Sequence, residues 1–427
     1  MNARSPFLFM FLLPVTLLAN SARAEVIAIM HAEIYPMSAE EQPLADSTVV
    51  IRDGLIEALG PEAAIPEGAR VIDAQGRIVT PGLISAASQL GLTEHSANAH
   101  NSDQQVQGAT LGAGFDVQYA LNANSLLIPL ARADGITRAV TLPSDSGMAP
   151  FNGLGALLHL VEGPEILERA RLALFAHLGG TNSAAAGGSR AAQWILLRQA
   201  LDQARTWSPP KAADNKAASL ADLNSAALKA VVDREIPLLL EVHRESDIRQ
   251  AVRLRDDFDL RLIIMGGSEA WRVAELLAAA EIPVILDPAS NLPLNYDALA
   301  TRADAASILR SAGVLLAFYP SSGLHYSLNA GLGAREAAGW AVANGLPYEA
   351  ALRGLTSNTA RIWGIETEAG SIVPGRSADL VMWDGDPLEP ANAPVLIIIN
   401  GREVSLATLQ TRLRDRYLRP AKETDGQ

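Results

Sequence analysis

The sequence predicts an α/β protein, a closed (β/α)₈ barrel of the TIM-like kind carrying a small composite β-sandwich formed by both termini. Three observations predict it. Strand-like apolar runs alternate with helical stretches through the middle of the 427 residues, which is the rhythm of parallel βαβ units. Short strands punctuated by turns occupy both ends instead. Aromatic residues make up only 5% of a chain that is 49% hydrophobic, so the core must be Ala, Leu, Val and Ile, as in continuously buried strands.

Residues 1–24 read as a secretory signal. Arg4 precedes an apolar run from Phe7 to Ala19, and Ala22-Arg23-Ala24 fits a small-residue cleavage site. The run is shorter than the roughly 20 residues a span needs, and Pro14 breaks it. Cleavage after Ala24 places the mature chain in a bacterial periplasm or outside the cell. From Glu25 to Thr80 the texture is β, and Asp53-Gly54 between two apolar runs marks a hairpin. The same texture returns after residue 366, with turns at Asp384-Gly385 and Asn400-Gly401. The domains expected are therefore the signal (1–24), a composite sandwich (25–80 with 366–427) and the barrel (81–365).

Within the barrel, strands are expected over 83–90, 136–142, 172–177, 237–243, 262–265, 283–286 and 314–319. Helices are expected over 217–233, 246–257, 269–280 and 301–311. Seven strands leave one of eight unassigned. A doubly wound sheet is the alternative, weakened because no G-x-G-x-x-G opens a helix after a strand. Residues 179–190 and 208–215 read as loops. A net charge of −13 argues against a nucleic-acid partner. No second stretch is apolar enough to span a membrane. The absence of cysteine removes disulfides, thiolate metal sites and a cysteine nucleophile. No G-x-S-x-G, Walker-type or H-E-x-x-H motif is present.

Read in order, Asp53-Gly54-Leu-Ile-Glu-Ala-Leu-Gly60, Val71-Ile-Asp-Ala-Gln-Gly76 and Thr80-Pro81-Gly82-Leu83-Ile84 form one motif set. Gly370-Ser-Ile-Val-Pro-Gly-Arg-Ser-Ala-Asp-Leu-Val381 and Asp384-Gly-Asp-Pro-Leu388 form a second. In these the chain resembles the amidohydrolase superfamily, and within it the secreted imidazolonepropionase-like group. The resemblance implies a metallo-dependent hydrolase barrel with a composite β-sandwich and zinc chemistry. It also implies hydrolysis of non-peptide carbon–nitrogen bonds.

The metal positions depart from that pattern. Where the family carries a His-x-His pair on the first barrel strand, this chain has Ala87 and Gln89. The fifth-strand histidine has a counterpart in His243. The sixth-strand histidine is replaced by Met265-Gly266-Gly267, and the eighth-strand aspartate by Tyr319-Pro320-Ser321. Retention of zinc is therefore doubtful, and a binuclear centre is not expected. His243 reads either as a hydrogen-bonded structural histidine or as a metal ligand or catalytic base. Glu94, His95, His100 and Asp103 follow the first strand, and His325 the last; these are solvated loop residues or replacement ligands at the mouth. Arg190 is a surface arginine or a clamp for an anionic substrate. Gln89 and Ser321 complete the pocket candidates. Asp379 and Asp384 read as turn and strand-edge carboxylates.

Two functions follow. One is a periplasmic hydrolase acting on a small cyclic amide or related molecule through a degenerate metal site. The other is a catalytically inactive barrel that binds a small molecule or a protein partner. Oligomeric state is left open. If residues 1–24 are a cleaved signal, Edman sequencing of protein from a periplasmic fraction will start at Glu25; a Met1 start in washed membranes would contradict this.

Overall fold

The computed structural model describes residues 26–38, 42–94, 103–106, 111–144, 150–180, 184–210, 219–293, 295–321 and 329–418. The signal segment, His95, His100, His325 and part of the 208–215 loop lie outside the described residues.

The first five strands are β1 (Val26–Ile34), β2 (Leu44–Arg52), β3 (Leu55–Gly60), β4 (Arg70–Asp73) and β5 (Ile78–Pro81). The barrel begins with β6 (Leu83–Ser88), α1 (Leu127–Ala133), β7 (Ile136–Thr141), β8 (Phe151–His159) and β9 (Leu167–His177). It continues with α2 (Arg190–Thr206), α3 (Leu220–Val232), β10 (Leu238–Val242), α4 (Glu245–Phe258), β11 (Leu262–Gly266) and α5 (Ala274–Ala279). Then come β12 (Val284–Leu286), α6 (Ala305–Ser311), β13 (Leu316–Phe318), α7 (Ala330–Ala343), α8 (Tyr348–Gly354) and α9 (Ser357–Trp363). The chain returns to sheet in β14 (Leu380–Trp383), β15 (Pro394–Ile399) and β16 (Arg402–Glu403), and α10 (Leu409–Tyr417) follows.

Two eight-stranded sheets result. One runs β6 to β13 in sequence order and nearly closes as the barrel. The other orders β16-β15-β14-β5-β1-β2-β3, with β4 on β1, and so draws strands from both ends of the chain as expected. The anticipated Asp53-Gly54 hairpin is present, and the anticipated Asn400-Gly401 turn closes a second hairpin. Asp53 and Gly54 adopt φ 52° and 82°, Asn400 and Gly401 φ 51° and 72°, the paired positive values of a tight hairpin turn. The two turns touch, and a Cβ on Gly401 would lie 2.5 Å from Gly54 Cα.

The strand that the sequence left unassigned is β8, and it breaks the all-parallel expectation. It pairs antiparallel with both β7 and β9, with no helix on either side among the described residues. Its sequence hides it, because glycines recur at 153 and 155. Gly153 has φ 128°, and a Cβ there would sit 2.5 Å from the Phe115 carbonyl oxygen; one on Gly155 would meet the Thr141 carbonyl oxygen at 2.9 Å. Side chains are excluded because the neighbouring backbone approaches too closely.

Alternation along β14 joins the two sheets. Leu380 and Met382 belong to the core of the composite sheet, whereas Val381 and Trp383 belong to the barrel's outer core. Trp383 Nε1 donates to Thr80 Oγ1 at 2.9 Å, and the fully buried Arg335 of α7 lies 4.8 Å above its ring. Arg335 also donates to the carbonyls of Pro387, Glu389 and Asn392.

Asp379 is more than the turn residue that its sequence suggests. It is buried at the junction and paired with Arg138 of β7; its Oδ1 also accepts the Asn400 N–H at 2.8 Å and lies 3.2 Å from His159 Nε2. Arg138 in turn reaches Glu168 at 2.8 Å. Burial would raise the Asp379 pKa, but Arg138, His159 and the Asn400 amide outweigh it and bring it down to about 2. A carboxyl lowered below its ordinary 3.8 stabilises the fold above that pH and loses this contribution as pH falls toward 2. Asp379→Asn should therefore cost roughly 3–5 kcal/mol at neutral pH by urea unfolding, as for breaking one side of a buried pair. The gap to the parent should narrow as pH falls from about 4 toward 2. A pH-independent gap, or none at pH 7, would contradict this assignment.

Candidate functional site

Every second residue of the barrel strands faces inward. Ala173 and Phe175 of β9, Leu239 of β10, Ile263 and Met265 of β11, and Ile285 of β12 form one buried cluster with Ala317 and Tyr319. Continuing the same parity to the C-terminal strand ends brings His177, Glu241, His243, Asp287 and Ser321 to the mouth. Because β8 runs the other way, its beginning brings Asn152 to the same end.

Two adjoining hollows open there and share Tyr319 and Ser321. The larger, about 180 Å³, is lined also by Ser144, Asn152, Phe175, His177 and Glu241. The smaller, about 30 Å³, is lined by His243, Ser268 and Asp287. Glu241 stands between two imidazoles. Its Oε2 is 3.9 Å from His177 Nδ1 and its Oε1 is 3.6 Å from His243 Nε2. Burial works against the Glu241 charge, but the two histidines outweigh it and hold the carboxyl below its ordinary pKa. The other nitrogen of His243, Nδ1, hydrogen-bonds Ser268 Oγ at 2.8 Å, which fixes the ring. Gly266 makes room for it. With φ 84°, a Cβ there would lie 2.5 Å from His243 Cε1.

The sequence candidates divide. His243 and Ser321 line the mouth, and Ser321 donates through N–H (2.8 Å) and Oγ to Asp287 Oδ2. Gln89 is buried and donates through Nε2 to Ser144 Oγ. Glu94 lines neither hollow and accepts from Asn122 Nδ2 at 2.5 Å. Asp103 is exposed, its N–H bonded to the Leu92 carbonyl. Arg190 does not stand ready for an anion: it is bound to Asp247 at 2.7 Å and to Asp297. Asp297 also takes the Gly180 N–H at 2.7 Å and Arg244 Nε at 2.9 Å, so this network ties loops together beside the mouth. His177, Glu241 and Asp287 were not singled out from sequence. The signal that would have found them is inward parity, two residues beyond Phe175, Leu239 and Ile285.

Residues 268–409 match the family model described as the amidohydrolase family. The amidohydrolase tasK of Hapsidospora irregularis is 24% identical over 401 residues, 83% of this chain. The chain spans only 39% of that relative's length. An amidohydrolase from Thermotoga maritima superposes with a TM-score of 0.79 at 23% identity, covering 89% of this chain and 99% of its own. An adenosine deaminase from Xanthomonas campestris, solved with bound zinc, gives a TM-score of 0.52 at 18% identity, covering 91% and 98%. At these identities the solved structures speak to the fold. With the family-model match and the relative, they support the amidohydrolase superfamily.

The amidohydrolase family is typically metal-dependent, and zinc would need donors that this mouth supplies poorly. Ala87 offers no donor, the Gln89 carboxamide bonds Ser144, Gly266 brings no side chain beside His243, and Ser321 is bound to Asp287. Among the described residues, no three or more His, Cys, Asp or Glu are arranged to hold a metal ion. These residues do not fit a binuclear zinc centre, which needs at least three good ligands and a bridging group. After dialysis against a mild chelator, mass spectrometry should find well under two zinc ions per chain. Two retained by the parent and lost by His243→Ala would overturn this.

Proposed function

We propose that this amidohydrolase-superfamily barrel is a periplasmic hydrolase of a non-peptide carbon–nitrogen bond in a small cyclic amide or related molecule. In this reading it works by imidazole–carboxylate acid–base chemistry. The observation that carries it is Glu241 held between His177 and His243 at the C-terminal strand ends, where barrel enzymes place their chemistry. The superfamily assignment supports a hydrolase, and the secretory character of residues 1–24 supports the periplasm.

Hydrolysis of an amide needs a proton taken from water and a proton delivered to nitrogen. An imidazole beside a carboxylate accepts the water proton as oxygen bonds to the carbonyl carbon, and Glu241 stabilises the imidazolium that forms. The second imidazole, entering in its protonated form, gives a proton to the nitrogen as the C–N bond breaks, leaving a carboxylic acid and an amine, and the proton that the first took from water returns to the second through solvent. Ser268 is a positioning residue, since it holds His243 by Nδ1 and leaves Nε2 toward Glu241. A hollow of about 180 Å³ lies below the roughly 300–1,000 Å³ common for ligand sites, which suits a small ring rather than a peptide.

The test is a panel of hydantoins, dihydropyrimidines and lactams assayed with parent, Glu241→Gln and His243→Ala proteins. The account expects turnover of at least one compound by the parent. Each variant should lower kcat/KM by about 10²–10⁴-fold, the usual contribution of a general acid or base. Saturable binding without turnover by the parent would favour the inactive, ligand-binding barrel. Turnover unaffected by either substitution would remove the triad from the mechanism.

A further inference from the structure

At the end of the barrel opposite the mouth lies a cavity of about 680 Å³, much larger than either hollow at the mouth. Pro283 and Leu315, which line it, immediately precede β12 and β13, so it sits at the N-terminal ends of these strands. Its apolar wall includes Ile282, Pro283, Val314, Pro347 and Ile362. Three guanidinium groups line it as well, from Arg310, Arg353 and Arg361. A neighbouring cavity of about 200 Å³ shares Glu281, Ile282, Pro283 and Ile362 with it and adds Arg261.

Arg353 is anchored, donating to the Met37 and Ser38 carbonyls. Arg310 and Arg361 are different. Among the described residues, neither guanidinium has a hydrogen-bond or ion-pair partner, although the chain carries a net charge of −13 and ion pairs are abundant elsewhere. Glu281 and Glu349 also line the cavity, so basic groups outnumber acidic ones by three to two. Both free arginines lie in the last turns of short helices, α6 and α9, where a positive charge complements the helix dipole. That role leaves the N–H donors of both exposed side chains without a partner among the described residues, beside an apolar surface.

We propose that this cavity binds a small organic anion, with an apolar body against Ile282, Val314 and Ile362 and a terminal phosphate or carboxylate held by Arg310 and Arg361. Guanidinium groups suit such oxyanions because their planar donors can bond two oxygens at once. The volume is in the range of ligand sites generally. The site is separate from the mouth and does not depend on the hydrolase reading.

The test is calorimetric titration of the full-length protein with n-octyl phosphate below its micelle concentration, beside n-octyl glucoside and inorganic phosphate. Saturable one-to-one binding of octyl phosphate is expected, weakened by added salt and stronger than that of either other probe. Arg310→Gln and Arg361→Gln should each weaken it about tenfold or more, as expected for losing a charged hydrogen-bonding partner. His243→Ala, at the other end of the barrel, should not. The two arginine variants are measured singly as well as together, so that a folding defect in the double variant cannot hide the result. Equal affinity for parent and arginine variants, or no saturable binding, would overturn the proposal. Binding of inorganic phosphate as tightly as octyl phosphate would remove the apolar half of the ligand. Phosphatidic acid vesicles are titrated alongside, and binding to these without binding to octyl phosphate would assign the surface to a membrane and overturn the proposal.

Discussion

The buried pair of Arg138 and Asp379 is the constraint on which the architecture depends. Asp379 comes from the last part of the chain and Arg138 from the second barrel strand, 241 residues apart. Two buried charges are tolerable only when each is paired and hydrogen-bonded, so the position admits little sliding of one sheet against the other. The Asp379 carbonyl also accepts the Gly82 N–H at 2.8 Å, which fixes the place where the first sheet hands over to the barrel. Once that corner is set, β14 lies along β5 and divides its side chains between two cores. Trp383 and Arg335 then close the same seam from the helical side.

The mouth follows from the barrel by arithmetic of period two. The inward positions that fill the interior with Phe175, Leu239 and Ile285 continue upward to His177, Glu241 and Asp287. The site is thus a continuation of the core into polar chemistry. Its residues are held by the same strands, with Ser268 and Gly266 determining how His243 sits. A carboxylate, Glu241, and two imidazoles, His177 and His243, stand together there.

Much of this was legible in the sequence, for physical reasons that can be named. The Asp53-Gly54 and Asn400-Gly401 turns, the seven parallel strands and the sharing of one sheet by both ends all rest on local patterns: turn chemistry and apolar periodicity. What was not legible depended on non-local geometry. The antiparallel β8 was obscured because its glycines answer to the Phe115 and Thr141 carbonyls, which no local pattern reports. Arg190 looked free because its partners, Asp247 and Asp297, lie 57 and 107 residues away. Glu241 and His177 match no position of the family's ligand set as the sequence displays it, whereas strand parity beyond Leu239 and Phe175 selects both.

The central claim is that the mouth works through Glu241 and its two histidines. The most direct measurement is turnover of a hydrolysed substrate before and after exhaustive treatment with a strong chelator, followed by addition of zinc. The account predicts the same rate in all three states, because each proton transfer belongs to a side chain already in place. Loss of turnover on chelation, restored by two equivalents of zinc, would contradict it.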